Sequence, residues 1–312
     1  MHRLAASLVV LLPLISFAQA TTPPATATLD TARCAVKLSV ALTGRSPDAA
    51  LLANPNPQAQ VDALLQGTAF IERFSRFVNA RFNDEPGASS VEDAAYHLAK
   101  HVMTNRLPWS DMFLGATRVD LVNNNVSIVT DANGLGYLRS PAWLRRYAGN
   151  EEQGVKLNTA YRILNNTTGI SLTAAVVVPG LDVSAAGRRN AACAGCHYDS
   201  WFALDKVASV LTTRVGTGNT MRFEPPTVGP QQLLGKTIAD DKALVTALVN
   251  SPDFEFNVCR VAFGFVHGRD ELACEGPLFD RCVDAFRAQR TMQAAIATLT
   301  TDASFCREGS TP

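Results

Sequence analysis

Cys193-Ala194-Gly195-Cys196-His197 is the densest group of chemically active side chains in this 312-residue sequence. Two cysteines spaced three apart lie on one helical turn, so both thiols reach the same edge of a planar ligand while the adjacent imidazole projects toward its centre. A porphyrin meets those demands, with two vinyl groups for thioether bonds and an iron for the histidine. The spacing therefore implies one covalently attached haem c (heme c), with Cys193 and Cys196 as anchors and His197 as the proximal iron ligand. Two other chemistries compete for the motif. A thioredoxin-like dithiol sits after a strand in a βαβ pattern, whereas the residues here are alanine-rich and read as helix. Zinc needs two further ligands at short spacing, and no second Cys-x-x-Cys or His-x-x-x-His follows.

The other face of the iron has several candidates. A thioether raises a haem potential and suits electron transfer, a second histidine lowers it, and an open position allows peroxide or oxygen chemistry. Met221 is the first choice, because it lies 24 residues after His197 in a Gly/Pro-rich stretch and is followed by Pro225-Pro226. Met103, Met112 and Met292 fall at or near helical segments, where methionine is more often core packing. His97 and His101 are four apart on one helix and read first as a partly buried structural pair, then as distal ligands. His267 precedes Gly268 at a helix end, where an imidazolium favours the C-terminus, so capping outweighs ligation.

Haem attachment of this kind belongs outside the cytoplasm, and the chain's start agrees. Arg3, the apolar run Leu4 to Phe17 and Ala18-Gln19-Ala20 read as a signal peptide over residues 1–20, cleaved before Thr21. The apolar run is shorter than the roughly 20 residues a bilayer span requires, so no membrane span is expected. Removing the leader leaves 27 basic against 28 acidic residues, about −1, which gives no electrostatic case for binding nucleic acid. A periplasmic or secreted location follows, and with it an oxidising setting for the remaining five cysteines. Cys259, Cys274, Cys282 and Cys306 allow three pairings. An antiparallel pair of helices over Asp253–His267 and Pro277–Thr300 favours Cys259 with Cys282, leaving Cys274 with Cys306 and Cys34 as a free thiol.

The expected fold is mainly α, with N- and C-terminal helical units and a small β-hairpin. Residues 21–28 read as a flexible tether and 29–117 as the N-terminal helical unit, with Ser46 and Pro47 opening a short helix. Phe70, Phe74, Phe77, Val78 and Phe82, then Val91, Ala94, Ala95, Leu98 and Val102, follow helical spacing. In the central region, 118–235, Arg118–Val129 reads as a hairpin around Asn123-Asn124-Asn125, and Leu172–Val178 is a β-branched run. Trp201, Leu204, Ala208 and Leu211 follow His197 at steps of three and four, which predicts a single helix carrying them on its face. Arg214–Gly235 reads as a long loop. Helices resume in the C-terminal unit, 236–312.

Leu42-Thr43-Gly44-Arg45-Ser46-Pro47, Val61-Asp62-Ala63-Leu64-Leu65 and Phe70-Ile71-Glu72-Arg73-Phe74 stand at the start of the chain, and Cys259-Arg260-Val261-Ala262-Phe263-Gly264-Phe265-Val266-His267-Gly268-Arg269 and Thr300-Thr301-Asp302-Ala303-Ser304-Phe305 at its end. On these residues the two ends resemble the planctomycete-type and myxobacterial cytochrome c proteins of unknown function. It implies a mostly helical exported haem protein and supplies no substrate. Three functions are consistent with the sequence: an electron-carrying monohaem cytochrome with a redox partner protein, a haem enzyme with an open or weakly ligated distal side, and a helical partner-binding module with structural haem.

Overall fold

Apolar residues at helical spacing dictate most of the architecture seen in the computed structural model, which describes residues 31–147, 156–173, 180–216, 220 and 222–307. The signal peptide and tether lie outside them, as does most of the Leu172–Val178 run. The N-terminal part comprises α1 (Thr31–Thr43), α2 (Ala49–Leu52), α3 (Val61–Gln66), α4 (Thr68–Phe82), α5 (Ala94–Thr104) and α6 (Asp111–Leu114). Asp48, not Ser46, caps α2, its carboxylate accepting the Leu51 amide at 2.8 Å. The central part holds β1 (Thr117–Val122), β2 (Asn125–Thr130), α7 (Pro141–Tyr147), α8 (Leu157–Thr168), α9 (Ala191–Ala194) and α10 (Leu204–Ser209). After α10 come β3 (Thr213–Val215), β4 (Arg222–Glu224), β5 (Gln231–Leu233) and β6 (Lys236–Ile238). The C-terminal part is α11 (Asp241–Val249), α12 (Pro252–His267), α13 (Gly276–Gln289) and α14 (Met292–Thr301).

The expected hairpin forms: β1 and β2 pair antiparallel with Val122 opposite Asn125. Asn123 and Asn124 both take positive φ, 50° and 63°, the conformation a two-residue turn needs and asparagine tolerates. Arg214–Gly235 is not the expected long loop: β3–β4 and β5–β6 are two further antiparallel pairs. Their strands have three residues each, too few for an alternation signal to show in sequence. The single helix expected over Pro277–Thr300 is also corrected. It breaks at Arg290, φ 58°, and restarts at α14 under a Thr291 cap that accepts the Ala294 amide.

One buried core runs the length of the described chain, from Cys34 to Cys306. Its centre is aromatic. Phe74 is fully buried and lies 5.0 Å from Phe265 of α12 and 5.8 Å from Trp109, edge to face in both cases. Asn257 of α12 donates to the Asn166 and Thr167 carbonyls at the end of α8. That approach requires Gly169, whose φ of +74° closes α8 and where a Cβ would sit 2.5 Å from the Asn257 Oδ1.

Two disulfides cross-link the fold, one between neighbouring helices and one between the two ends. Cys259 bonds Cys282 between α12 and α13 with Cα atoms 6.0 Å apart, the expected pair. Cys34 is not a free thiol: it bonds Cys306, 272 residues away, with Cα atoms 4.9 Å apart. Cys274 is left exposed and unpaired. The correction has a topological cause, because the turn after α14 returns to the start of α1, a closure no local pattern announces. Among the described residues no helix is long and apolar enough to cross a membrane.

Candidate functional site: the Cys193–His197 turn

α9 carries Cys193 and runs directly into a π-helical turn, Gly195–Asp199, that carries Cys196 and His197. The two cysteines are unbonded, Cys193 half-buried and Cys196 exposed. The chain then leaves the helical path at Ser200–Ala203 before starting α10, which corrects the expected single helix. Ala208 and Leu211 turn into the core while Trp201 stays 45% exposed, so the residues expected to share one face with His197 divide between core and solvent.

The break brings Asp205, near the start of α10, back onto the histidine. His197 Nδ1 donates to Asp205 Oδ2 at 2.6 Å, with the carboxylate 9% exposed. A carboxylate only accepts, so this contact places a proton on Nδ1 and makes Nε2 the nitrogen that bears the lone pair of the neutral ring. Three further donors hold Asp205. Arg188 Nε reaches both of its oxygens at 3.1 Å and the guanidinium's second nitrogen reaches Oδ1 at 2.8 Å. Tyr198 Oη lies 3.2 Å from Oδ1 and equally far from the Ala185 carbonyl.

Arg188 is itself fixed. It is buried in a 3₁₀ turn, Gly187–Arg189, and donates to the Val183 carbonyl. No side chain fits at Gly187, where a Cβ would lie 2.0 Å from the Asp182 carbonyl oxygen. Hydrogen bonding to Asp205 raises the Arg188 pKa above its ordinary value, and burial followed by the nearby Asp205 raises that of Tyr198. Arg189 covers the Tyr198 ring at 4.1 Å. Asp205, Arg188 and Tyr198 were not singled out from sequence. A signal existed only in their charge, because an unbroken helix would separate residues 197 and 205 by about 12 Å.

The residues present fit a c-type haem. Two unbonded thiols flank a solvent-side turn, and the adjacent imidazole keeps Nε2 available while its other nitrogen is held by a carboxylate, as in metal-ligating histidines generally. Among the described residues every strand pairing is an antiparallel hairpin, and no parallel βαβ pattern of the thioredoxin kind is seen there. Nor do three His, Cys, Asp or Glu side chains gather into a metal cluster among the described residues.

The remaining sequence candidates scatter. Met221 lies outside the described residues; its neighbour Arg222 opens β4 opposite Val215. Met103, Met112 and Met292 are core residues, each at most 1% exposed. His97 packs against the Tyr96 ring at 4.9 Å, and burial lowers its pKa. His101 lies one turn further along α5, its Nδ1 3.2 Å from the Asn105 amide nitrogen. His267 lies between Phe263 and Phe305, tilted against the first ring at 5.1 Å and edge-on to the second at 5.9 Å. Burial first, then Arg269 and Lys37, push its pKa down, which disfavours the imidazolium expected to cap α12. The cap is Gly268, whose amide donates to the Gly264 carbonyl. α5 and α12 pack chiefly on other helices, whereas the motif turn packs on α9, α10 and the 3₁₀ turn.

No protein-family model matches the chain, nor does any curated protein or solved structure.

Proposed function

We propose that this chain is an exported monohaem c-type cytochrome that carries electrons to or from a redox partner protein through haem attached at Cys193 and Cys196. The observation carrying the reading is the His197–Asp205 hydrogen bond at 2.6 Å beside two unbonded cysteines one turn apart. It favours a prepared ligand over a chance Cys-x-x-Cys-His, because an imidazole oriented through Nδ1 turns its other nitrogen toward a ligand. Each thiol would add its S–H across one vinyl group, a step that loses no atom and needs no oxidant. When bound, the iron supplies one-electron chemistry. The chain's own contribution is to hold His197 by Asp205, to keep both thiols unbonded, and to present the exposed Trp201 shortly after the motif as apolar cover. Met221 is the residue put forward for the distal side. The buried disulfides support export into an oxidising compartment, periplasmic or extracellular.

The test is expression of the full chain with a c-type maturation system, followed by extraction in acidified acetone. Haem stays with the polypeptide, and replacing both Cys193 and Cys196 by Ala abolishes retention. Complete release of haem from the unmodified protein refutes the reading.

A further inference from the structure

The geometry points to Asp205 as a positioning residue that holds the haem of the reading above at low potential through His197, with Arg188 limiting how far it does so. The inference rests on that reading and goes beyond it, since ligation alone assigns no role to either residue. A carboxylate accepting from Nδ1 draws the proton toward itself and leaves more electron density on Nε2, so the imidazole becomes a stronger donor to whatever Nε2 binds. Stronger donation favours ferric over ferrous iron. A backbone carbonyl at the same place would do this less, because it carries no charge.

Arg188 opposes the effect. Its guanidinium forks onto the same carboxylate through contacts of 2.8 to 3.1 Å, and both partners are about nine-tenths buried, 10% and 9% exposed. At that burial the ion pair is poorly screened, so the charge available to His197 depends on what Arg188 withdraws. Tyr198 Oη withdraws a smaller share at 3.2 Å. The three side chains thus form a graded device: the carboxylate lowers the potential and the guanidinium raises it. A purely structural cluster has no such opposition, because loss of either partner would loosen His197 in the same sense.

The experiment uses the full chain, matured with haem, its covalent retention confirmed in acidified acetone, and measures the midpoint potential by spectroelectrochemical titration. Asp205→Asn raises the potential by at least the 59 mV that corresponds to a tenfold change in ferric-over-ferrous preference for one electron. Arg188→Gln lowers it, and Asp205→Glu, which restores a carboxylate, returns it toward the unmodified value. Should Asp205→Asn fail to fold or take up haem, the sign for Arg188→Gln decides alone. An unchanged potential in Asp205→Asn with haem retained, or shifts of the same sign in both variants, overturns the inference and leaves the haem reading standing. An unmodified protein without covalent haem overturns both.

Discussion

Replacing Cys34 and Cys306 together by Ala should cost more stability than replacing Cys259 and Cys282 by Ala, and the difference follows from loop length. Cys34–Cys306 closes 272 residues and Cys259–Cys282 closes 23. In the chain-entropy treatment, loops of these lengths correspond to about 5.6 and about 3.4 kcal/mol at 25 °C, a difference of about 2 kcal/mol. Residual structure in the unfolded chain reduces the larger value more, so a loss of about 3–5 kcal/mol is expected for the outer pair. Truncation adds little to the difference, because all four sulfurs are buried, from 0% to 8% exposed, and each variant deletes two of them. The assay is urea unfolding of oxidised protein followed by far-UV circular dichroism, with a non-reducing peptide map of the unmodified chain. Equal or smaller destabilisation by the outer pair refutes the entropic argument. A map joining Cys274 to Cys306, with Cys34 free, refutes the pairing itself.

Two other outcomes are expected. Under the proposed haem reading, Met221→Ala should convert a low-spin ferric spectrum to high-spin and speed cyanide binding, and an unchanged spectrum removes Met221 from the distal side. Glu72 is held down at about 2, chiefly by the Tyr96 hydroxyl at 2.6 Å, then by Lys100 and Arg76, against a burial cost. A depressed carboxylate stabilises the fold above its unfolded value and loses that contribution as pH falls toward the folded one. Comparing the unmodified protein with Glu72→Gln by thermal unfolding between pH 4.5 and 2 should therefore show the gap closing as the solution is acidified. The effect is under about 1 kcal/mol, since the side chain is a third exposed. A constant gap across that range contradicts it.

Much of the fold was legible because it is periodic. The phenylalanines of α4, the stripe of α5 and the Asn-Asn turn between β1 and β2 each follow from local geometry, and the structure bears them out. What failed was set by contacts between distant segments. Arg290 breaks the last helix and its carbonyl accepts the Trp109 amide at 2.7 Å, a partner 181 positions earlier in the chain. The Cys34–Cys306 bond likewise depends on where α1 meets the turn after α14. The motif itself was visible at once, but the periodic match of Leu204, Ala208 and Leu211 to His197 suggested a continuous helix and thereby hid Asp205. A step of eight along such a helix places two side chains about 12 Å apart, and only the break at Ser200–Ala203 turns that distance into a hydrogen bond.

That break also bears on the choice between carrier and enzyme. An electron carrier needs both oxidation states within reach of its partner, so strong donation from His197 has to be limited or balanced. Under the proposed reading, two features would do so from opposite sides of the haem: the Arg188 guanidinium, which withdraws charge from Asp205, and a thioether from Met221, which favours ferrous iron. Removing the thioether alone would leave a ferric, open iron with a carboxylate-backed histidine, the arrangement that suits peroxide chemistry. The pair of variants Met221→Ala and Arg188→Gln therefore separates the two functions more sharply than either alone. If the carrier reading holds, the unmodified protein is low-spin and inert to peroxide, Arg188→Gln lowers its potential without changing spin state, and only Met221→Ala opens a peroxidase activity. Peroxide turnover by the unmodified protein would instead make the haem enzyme the better account.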